Sequence, residues 1–154
     1  MTTMRVSGGI EYAGNVRVEV RCARTGALLD RIVAANKIVN NGLLLARDLF
    51  GGVGMRPDEI ALGTGTGATT DAQASLTAEV FRKTIDRRDN SGTYGIDFQA
   101  FVDTGDANGF TLAEVGLFES ETLVGRAILS PTVAKTSAIT LTVSYVVTPQ
   151  RPVI

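Results

Sequence analysis

A run of glycines is the first stretch whose residue types suggest chemistry. The run GTGTG follows an apolar segment, and Gly63, Gly65 and Ala68 have the G-x-G-x-x-A spacing of a dinucleotide-binding turn. Such a turn leads into a helix that holds the pyrophosphate, and an acidic residue follows about 20 residues later. Here TTD and β-type patterns follow instead, and the Lys-Ser or Lys-Thr pair of a phosphate loop is missing. The run therefore predicts a flexible turn, and no cofactor is expected.

A single carboxylate, Glu114, stands within an apolar segment. Burial raises the pKa of a carboxyl group, so such a residue is a candidate general base. The chain contains no histidine, the commonest general base at neutral pH, and no nucleophile or second carboxylate accompanies Glu114 in a motif. We therefore expect a structural role, in which Glu114 pairs with an arginine such as Arg126 or Arg82. No catalytic residue is predicted.

The segment DTGDANG at 103–109 resembles a sparse calcium-binding loop. Asp103, Asp106 and Asn108 supply oxygen ligands of the type that Ca²⁺ prefers. The bidentate glutamate that closes such a loop is absent at the required offset. The sequence therefore predicts no metal site.

The densest charge cluster is RKTIDRRD, at residues 82–89. On a continuous strand, Arg82, Asp86 and Arg88 share one face, where they can pair across a sheet or a subunit boundary. A solvated face is the alternative interpretation. No aromatic residues alternate with these charges, and the net charge of the chain is -1, so neither nucleic acid nor a membrane surface is an expected partner.

The composition is that of a globular domain. The chain has 154 residues, of which 44% are hydrophobic and 20% charged, so it can bury a core of its own. It has no apolar run of about 18 residues and no N-terminal secretion signal, so we expect synthesis in the cytoplasm. Cys22, the single cysteine, continues the phase of Val16, Val18 and Val20 and is predicted to be a buried structural thiol.

Hydrophobic periodicity places the first elements. Alternation from Asn15 to Val33, with a turn at residues 24–26, predicts a β-hairpin. A short helix follows at residues 40–50, capped by Asn40 or Asn41 and ended by a Gly-Gly pair. Its apolar face is predicted to consist of Leu43, Leu44, Ala46, Leu49 and Phe50, with the stem of Arg47.

The remaining elements are β-strands. We expect strands at 60–62 and 94–102, a turn of helix at 76–79 that leads into a strand ending at Arg88, and a hairpin at 109–129. The closing strand, 139–147, has one apolar face. Its other face carries Thr140, Thr142 and Ser144, which is poor protection for an exposed sheet, so another subunit is expected to cover it. The predicted fold is mainly β, an antiparallel, jelly-roll-like β-sandwich with one short α-helix near residues 40–50.

Taken together, four segments of this chain resemble a module of tailed-bacteriophage virions, the N-terminal domain of tail-collar fibres and related baseplate or tail proteins. The resemblance covers roughly residues 36–147. Its pattern contains an N-x-G-L helix, an A-x-G-x-G turn, an L-x-x-E-V-x-R segment, an E-x-G-L-F segment and a closing strand after a lysine. The matching positions are Asn40, Gly42 and Leu43; Ala61, Gly63 and Gly65; Leu76, Glu79, Val80 and Arg82; Glu114, Gly116, Leu117 and Phe118; and Lys135.

The resemblance implies a non-enzymatic assembly protein that is located in the virion and made in the cytoplasm of the host bacterium. Its partners would be other virion proteins and copies of itself, with a trimer favoured. The chain ends at Ile154 without a shaft or receptor-binding tip, so recognition of a host by this chain alone is not expected. Residues 1–35 are then an N-terminal hairpin extension that docks on a neighbour, and residues 36–154 are the β-domain.

Two other functions are compatible with a small β-domain. A capsid decoration protein is the main alternative, because it needs the same compact fold with uncharged faces. A carbohydrate-binding module is a further alternative. It would use an exposed aromatic platform, and the chain has no tryptophan and only 6% aromatic residues.

Overall fold

Alternation of apolar and polar residues along most of the chain is realised as β-strands. The computed structural model describes residues 11–151, which form nine strands and one helix. The elements are β1 (Glu11–Cys22), β2 (Leu28–Ile38), α1 (Asn40–Phe50), β3 (Glu59–Gly63), β4 (Glu79–Thr84), β5 (Arg87–Asp89), β6 (Ile96–Val102), β7 (Thr111–Glu119), β8 (Thr122–Ala134) and β9 (Ile139–Gln150). The prediction of a mainly β protein with one short helix near residues 40–50 is confirmed.

All nine strands belong to one antiparallel sheet, whose order is β4-β3-β7-β8-β2-β1-β9-β6-β5. The two ends of this order, β4 and β5, are consecutive in the chain and are separated only by Ile85 and Asp86. The chain itself therefore brings the two edges of the sheet together, and the sheet curls into a half-barrel. Its two halves face each other like the layers of the predicted sandwich, but they are continuous through β2.

Strand β2 joins the two halves because it changes partner along its length. Its first part pairs with β1, for example Ile32 with Val18, and its last residues, 36–38, pair with β8. Strand β1 pairs with β9 along its whole length. Residues 11–35, predicted as an N-terminal extension, therefore lie in the middle of the sheet. Their docking role stays a prediction, and residues 1–10 lie outside the described part.

The core lies between the two halves. Val16 and Val18 of β1 and Leu141, Val143 and Tyr145 of β9 point into it, as their period-two spacing predicts. The hairpin of β7 and β8 supplies most of the opposite wall; the predicted hairpin is confirmed, but β8 continues to Ala134, beyond the predicted end at Leu129. This hairpin contains a register shift between Leu117 and Phe118. The neighbouring Gly116 is closely packed, since a Cβ atom there would lie 2.7 Å from the Leu76 side chain.

Helix α1 begins one residue earlier than a side-chain cap would place it. Its N-cap residue is Val39, which has no capping oxygen, so the predicted cap by Asn40 or Asn41 is wrong. The backbone N–H of Asn40 donates instead to the carbonyl of Asp71 at 2.7 Å. Gly51 and Gly52 end the helix, as predicted.

The helix does not bury the face that its leucines predict. Its buried residues are Gly42 and Leu45, whereas Leu43, Leu44 and Phe50 are exposed. Gly42 lies directly against the carbonyl of Val124 in β8, and a Cβ atom at position 42 would overlap that oxygen. The close contact at the smallest residue fixes the rotation of the helix, so the larger apolar side chains are turned towards solvent.

The segment before β5 also differs from the prediction. Residues 76–79 form no helical turn, because the N–H groups of Thr77 and Ala78 bind a carboxylate from another strand. The predicted strand to Arg88 is broken at Ile85 and Asp86, where the chain crosses from one edge of the sheet to the other.

Cys22 is only half-buried, so its predicted burial is wrong. It lies at the end of β1, just after a register shift between Val20 and Arg21. Hydrogen bonding with Thr25 and the neighbouring backbone lowers the pKa of its thiol.

One buried group in the core has no partner within the described chain. The Tyr145 hydroxyl is enclosed next to Gly125 and makes no hydrogen bond there. A buried hydroxyl without a partner costs free energy on folding. We therefore expect Tyr145→Phe to raise the free energy of unfolding by about 1 kcal/mol, measured by urea denaturation. A loss of stability would show that the hydroxyl has a partner such as a bound water.

Candidate functional site

The principal polar constellation of the interior is an ion pair between the strands of the β7–β8 hairpin. Glu114 lies on β7 and Arg126 on β8, and their diagonal register places both on one face of the hairpin. The Arg126 Nε atom donates to Glu114 Oε1 at 2.8 Å, and both side chains are 0% exposed. The predicted structural role of Glu114 as the partner of an arginine is confirmed, with Arg126 as the partner.

The Glu114 carboxylate is fully occupied by donors. Its Oε2 atom accepts the backbone N–H groups of Gly65 and Ala78, each at 2.8 Å. Its Oε1 atom accepts the backbone N–H of Thr77 at 2.8 Å in addition to Arg126. One carboxylate therefore holds both ends of the loop between β3 and β4, residues 64–78, which we call the β3–β4 loop.

Arg126 holds the same loop through its other nitrogens. Its Nη1 atom donates to the Gly67 carbonyl at 2.7 Å and to Thr69 Oγ1 at 2.9 Å, and its Nη2 atom donates to Thr77 Oγ1 at 3.2 Å. These loop partners were not predicted, because nothing local in the sequence connects a glycine carbonyl with an arginine about 60 residues away. The threonines of the loop were the available signal, since a buried guanidinium needs several acceptors.

The surroundings of Glu114 stabilise its ionised form and do not favour proton transfer. Burial by itself raises the pKa of Glu114, but hydrogen bonds from Arg126 and from three backbone N–H groups outweigh burial and leave the pKa below its ordinary value. A carboxylate that is ionised, enclosed and saturated with donors is a poor general base. The arrangement stabilises a loop conformation.

Two glycines of the run, Gly63 and Gly65, leave the space that this carboxylate occupies. A Cβ atom on Gly63 would lie 2.6 Å from Glu114 Oε2, and one on Gly65 would overlap the same oxygen and Thr77. The backbone of the run binds an anion, as glycine-rich turns often do. The anion is the chain's own glutamate, and this explains why the run resembles a nucleotide-binding turn.

A second cluster surrounds Arg82 of β4. Its guanidinium binds Glu79 at 2.7 Å and lies 3.5 Å from Glu59. The hydrogen bond with Glu79 raises the pKa of Arg82 above its ordinary value. The Arg82 Cζ atom is 3.8 Å from the centre of the Phe118 ring, a cation–π geometry, and Nη1 donates to the Ser120 carbonyl. Arg82 thus contacts both Glu79 and Phe118, and all three belong to the positions that carry the family resemblance. This cluster is separate from the Glu114–Arg126 pair.

The other residues of the resemblance occupy separate positions. Gly116 and Leu117 are buried in β7, where they follow Glu114 by two and three positions in the sequence. The backbone of Asn40 is bonded to the β3–β4 loop at Asp71, and Gly42 packs on β8. Leu43 is exposed on α1.

The residues predicted to form an interface are not gathered into one row. Asp86 binds Lys83 at 2.8 Å and accepts the Phe101 N–H. Burial by itself raises the pKa of Asp86, but these hydrogen bonds outweigh it and lower the pKa. Arg88 donates to the Pro57 carbonyl at 2.9 Å, and Arg82 pairs elsewhere. The three charges therefore have separate partners, because the strand that would align them is broken.

The uncharged face of β9 is partly covered by its neighbours. Ser144 is buried, and Thr140 and Thr142 are half-buried. Opposite these three residues, β1 carries charged residues with long side chains, namely Arg17, Glu19 and Arg21. Coverage of this face by another subunit stays a prediction.

The loop at 103–109 is occupied by a cation of the chain itself. Lys135 is buried, and its Nζ atom donates to Asn108 Oδ1 and to the Thr136 carbonyl, both at 2.8 Å. Burial lowers the pKa of Lys135, while Asp106 and Asp103 act in the opposite direction. Within residues 11–151, no cluster of three or more carboxylate, histidine or cysteine side chains is arranged to hold a metal ion.

A cavity opens between helix α1 and the sheet. It has a volume of about 340 Å³ and is bounded by Leu45 and Leu49 of α1, Phe98 of β6, Leu117 of β7 and Val124 of β8. Its walls are almost entirely apolar, and Phe50 stands at its edge. Such a cavity suits an apolar side chain better than a ligand that needs polar contacts.

Comparison of the chain with protein-family models, with curated proteins and with solved structures finds no match. No helix within the described residues has the length and apolarity needed to cross a membrane.

Glu114→Gln tests the clamp on the β3–β4 loop. Each carboxylate oxygen accepts two donors, so either orientation of the amide turns its NH₂ group towards N–H groups and also leaves Arg126 without a counter-charge. We expect a loss of about 3–5 kcal/mol in the free energy of unfolding. Glu79→Gln, in the more exposed pair with Arg82, is the matched control and should cost about 1 kcal/mol or less.

The pH dependence of the same variant adds a second readout. Because the pKa of Glu114 is lower in the folded state, the unfolded state binds more protons as the pH falls through about 4.3, and stability falls with it. The slope of stability against pH in this acidic range should be smaller in Glu114→Gln. Equal slopes in the two proteins would contradict the assigned ionised state.

Gly65→Ala tests the close approach of the glycine run to Glu114. The new methyl group would overlap the carboxylate and Thr77, so we expect a loss of about 1–3 kcal/mol in the free energy of unfolding. Gly67→Ala, in the same run, is the control, because a Cβ atom there meets nothing within 4 Å. Thermal or urea denaturation would measure both. Equal effects of the two substitutions would rule out the proposed contact as the cause.

Proposed function

We propose that this chain is a non-enzymatic structural subunit of a tailed-bacteriophage virion, in the tail, the baseplate or the collar that attaches fibres. It works by binding other virion proteins and copies of itself. The observation that carries this proposal is a surface of exposed apolar side chains on α1 and the loop that follows it. We call these residues the assembly surface: Leu43, Leu44, Leu49, Phe50, Val53 and Met55. Leu49 and Phe50 border the apolar cavity, whereas Leu44 and Met55 border a separate recess.

The assembly surface concentrates exposed apolar side chains in one short segment of the chain. Its six side chains lie within 13 positions of the sequence and are between 38% and 83% exposed. The largest apolar patch on a monomeric protein is itself about 300–600 Å² and is often a functional surface. Burial of apolar area against a partner contributes about 25 cal/mol for each Å² removed from water.

The interior supports the same proposal from the opposite side. The buried pair of Glu114 and Arg126 binds segments of its own chain, and the lowered pKa of Glu114 argues against its use as a base. The buried charges thus hold the β3–β4 loop, and the exposed side chains of α1 are apolar. A β-domain with an exposed apolar helix is suited to assembly.

Localisation in intact particles tests the proposed function. We expect purified virions to contain the chain, and we expect cryo-electron microscopy to place its density on the tail, the baseplate or the collar. Density over the head would instead identify a capsid decoration protein. Absence of the chain from purified particles would contradict a virion role altogether.

A further inference from the structure

We propose that copies of this chain bind each other head to tail, with a cluster of arginines on one copy against a cluster of glutamates on the next. This inference deepens the proposed function, on which it rests, because it assigns the surfaces through which the chain binds copies of itself. The two clusters have opposite charge and lie on different parts of the sheet.

The basic cluster lies on strands β1 and β2 and consists of Glu19 with Arg17, Arg21 and Arg31. The carboxylate of Glu19 is between 3.0 and 3.7 Å from each of the three guanidinium groups. The arginine side chains are between 40% and 54% exposed, and three positive charges around one negative charge leave a net charge of +2. Asp30 belongs to the opposite face of β2. One carboxylate cannot occupy the donors of three guanidinium groups, so the cluster can bind further acceptors.

The acidic cluster has the inverse composition and consists of Arg82 with Glu59, Glu79 and Glu121. Arg82 binds Glu79 at 2.7 Å and lies 3.5 Å from Glu59. Glu121 is exposed in the turn between β7 and β8, and its charge adds to the hydrogen bond with Glu79 in raising the pKa of Arg82. Three negative charges around one positive charge leave a net charge of -2. Lys83 belongs to the opposite face of β4.

The two clusters point away from each other. Val18 of β1 and Ile60 of β3 are buried in the same apolar core. Because successive side chains of a strand point to opposite faces, Glu19 and Glu59 lie on the faces turned away from that core. These are the outer faces of the two opposing halves of the sheet. A copy therefore cannot pair its own two clusters, but it can bind one neighbour through each of them.

The inverse arrangement of charges favours a second copy over another anion. Carboxylate and guanidinium groups form strong, often bidentate hydrogen bonds. A partner with only negative charges would place an anion against Glu19 as well as against the arginines. The acidic cluster avoids this repulsion, because it brings Arg82 together with its carboxylates. The chain thus carries the complement of each cluster.

The same contact covers the uncharged face of β9. Thr142 is paired with Glu19 across the sheet, and Thr140 and Ser144 are paired with the flanking arginines of β1. A copy bound at the basic cluster therefore lies over these hydroxyl groups, where another subunit was predicted. Because the two partners use different surfaces, the contact repeats from copy to copy and closes only as a ring.

Sedimentation of the purified full chain at two salt concentrations tests the contact. At about 0.01 M salt, where charges act over roughly 30 Å, we expect complexes of more than two copies, because each added copy keeps a free cluster. At about 1 M salt, where the range falls to roughly 3 Å, we expect the complexes to dissociate. A closed dimer at low salt, or complexes that persist unchanged at high salt, would overturn the contact.

Exchange of charge between the clusters tests their pairing. Arg21→Glu with Arg31→Glu changes the basic cluster to a net charge of -2, and Glu79→Arg with Glu121→Arg changes the acidic cluster to +2. Each double variant should weaken the association by about tenfold or more, the effect of losing a close charge pair in an interface. The four substitutions together reverse both clusters and restore the chain's net charge of -1, so the association should return.

Arg47→Glu with Arg87→Glu is the matched control for net charge. These arginines are 71% and 65% exposed and belong to neither cluster. The control changes the net charge by as much as the basic-cluster variant and should have a much smaller effect. Thermal denaturation should show that all variants are folded. A control that weakens the association as strongly, or a folded four-substitution variant that stays dissociated, would overturn the pairing.

The remaining outcomes separate this inference from the proposed function. A chain that stays monomeric at low salt would overturn the contact between copies. If that chain were still found in particles, the virion role would stand with contacts to other proteins alone. Association that responds to charge exchange as expected, from a chain absent from particles, would support the contact and contradict the virion role.

Discussion

A charge buried away from water must be paired, and this constraint organises the structure around Glu114. The carboxylate lies in the interior of the β7–β8 hairpin, where only hydrogen bonds can replace its lost hydration. Arg126 supplies the counter-charge, and the backbone of Gly65, Thr77 and Ala78 supplies the remaining donors. Those three N–H groups come from the two ends of the β3–β4 loop, so satisfying one side chain also fixes where strand β4 begins beside β3. The requirement explains why positions 63 and 65, where the loop begins, are glycines, since a side chain at either would occupy the space of the carboxylate.

An apolar pair of similar volume would fill the same space, and buried ion pairs often add little to net stability. Such a pair would leave the N–H groups of Gly65, Thr77 and Ala78 without acceptors, and each unpaired buried group costs free energy. The acceptors for Arg126 are also specific, since they include the Gly67 carbonyl and the hydroxyls of Thr69 and Thr77. The ion pair therefore selects one conformation of a long loop from many. Its contribution is to the uniqueness of the fold, and the apolar core between the two halves of the sheet supplies the larger share of the driving force.

Sequence reasoning succeeded where the decisive interactions are local or periodic. The alternation of Leu141, Val143 and Tyr145 located a strand and its inner face, and the need of a buried acid for a cation predicted a partner such as Arg126.

Sequence reasoning failed where a distant group overrules a local preference. Residues 76–79 carry a plausible helical turn, but the carboxylate of Glu114 takes the N–H groups that such a turn would use. The exposed face of α1 was missed because Gly42 packs on a carbonyl of β8, a contact between elements that no helical periodicity contains. The curling of the sheet was missed for the same reason, since it follows from the break in pairing at Ile85 and Asp86.

The buried pair and the assembly surface are connected through the β3–β4 loop. Within that loop, the carbonyl of Asp71 accepts the N–H of Asn40 in the first turn of α1, and its carboxylate binds Lys37 at 2.8 Å. The start of the helix, whose N-cap residue Val39 offers no side-chain oxygen, is thus held by a loop that Glu114 and Arg126 position. At its other contact the helix rests on β8 through Gly42, a strand that also carries Arg126. Both supports of α1 therefore lead back to the same hairpin. The orientation of the exposed apolar side chains depends on a pair of charges that never reach the surface.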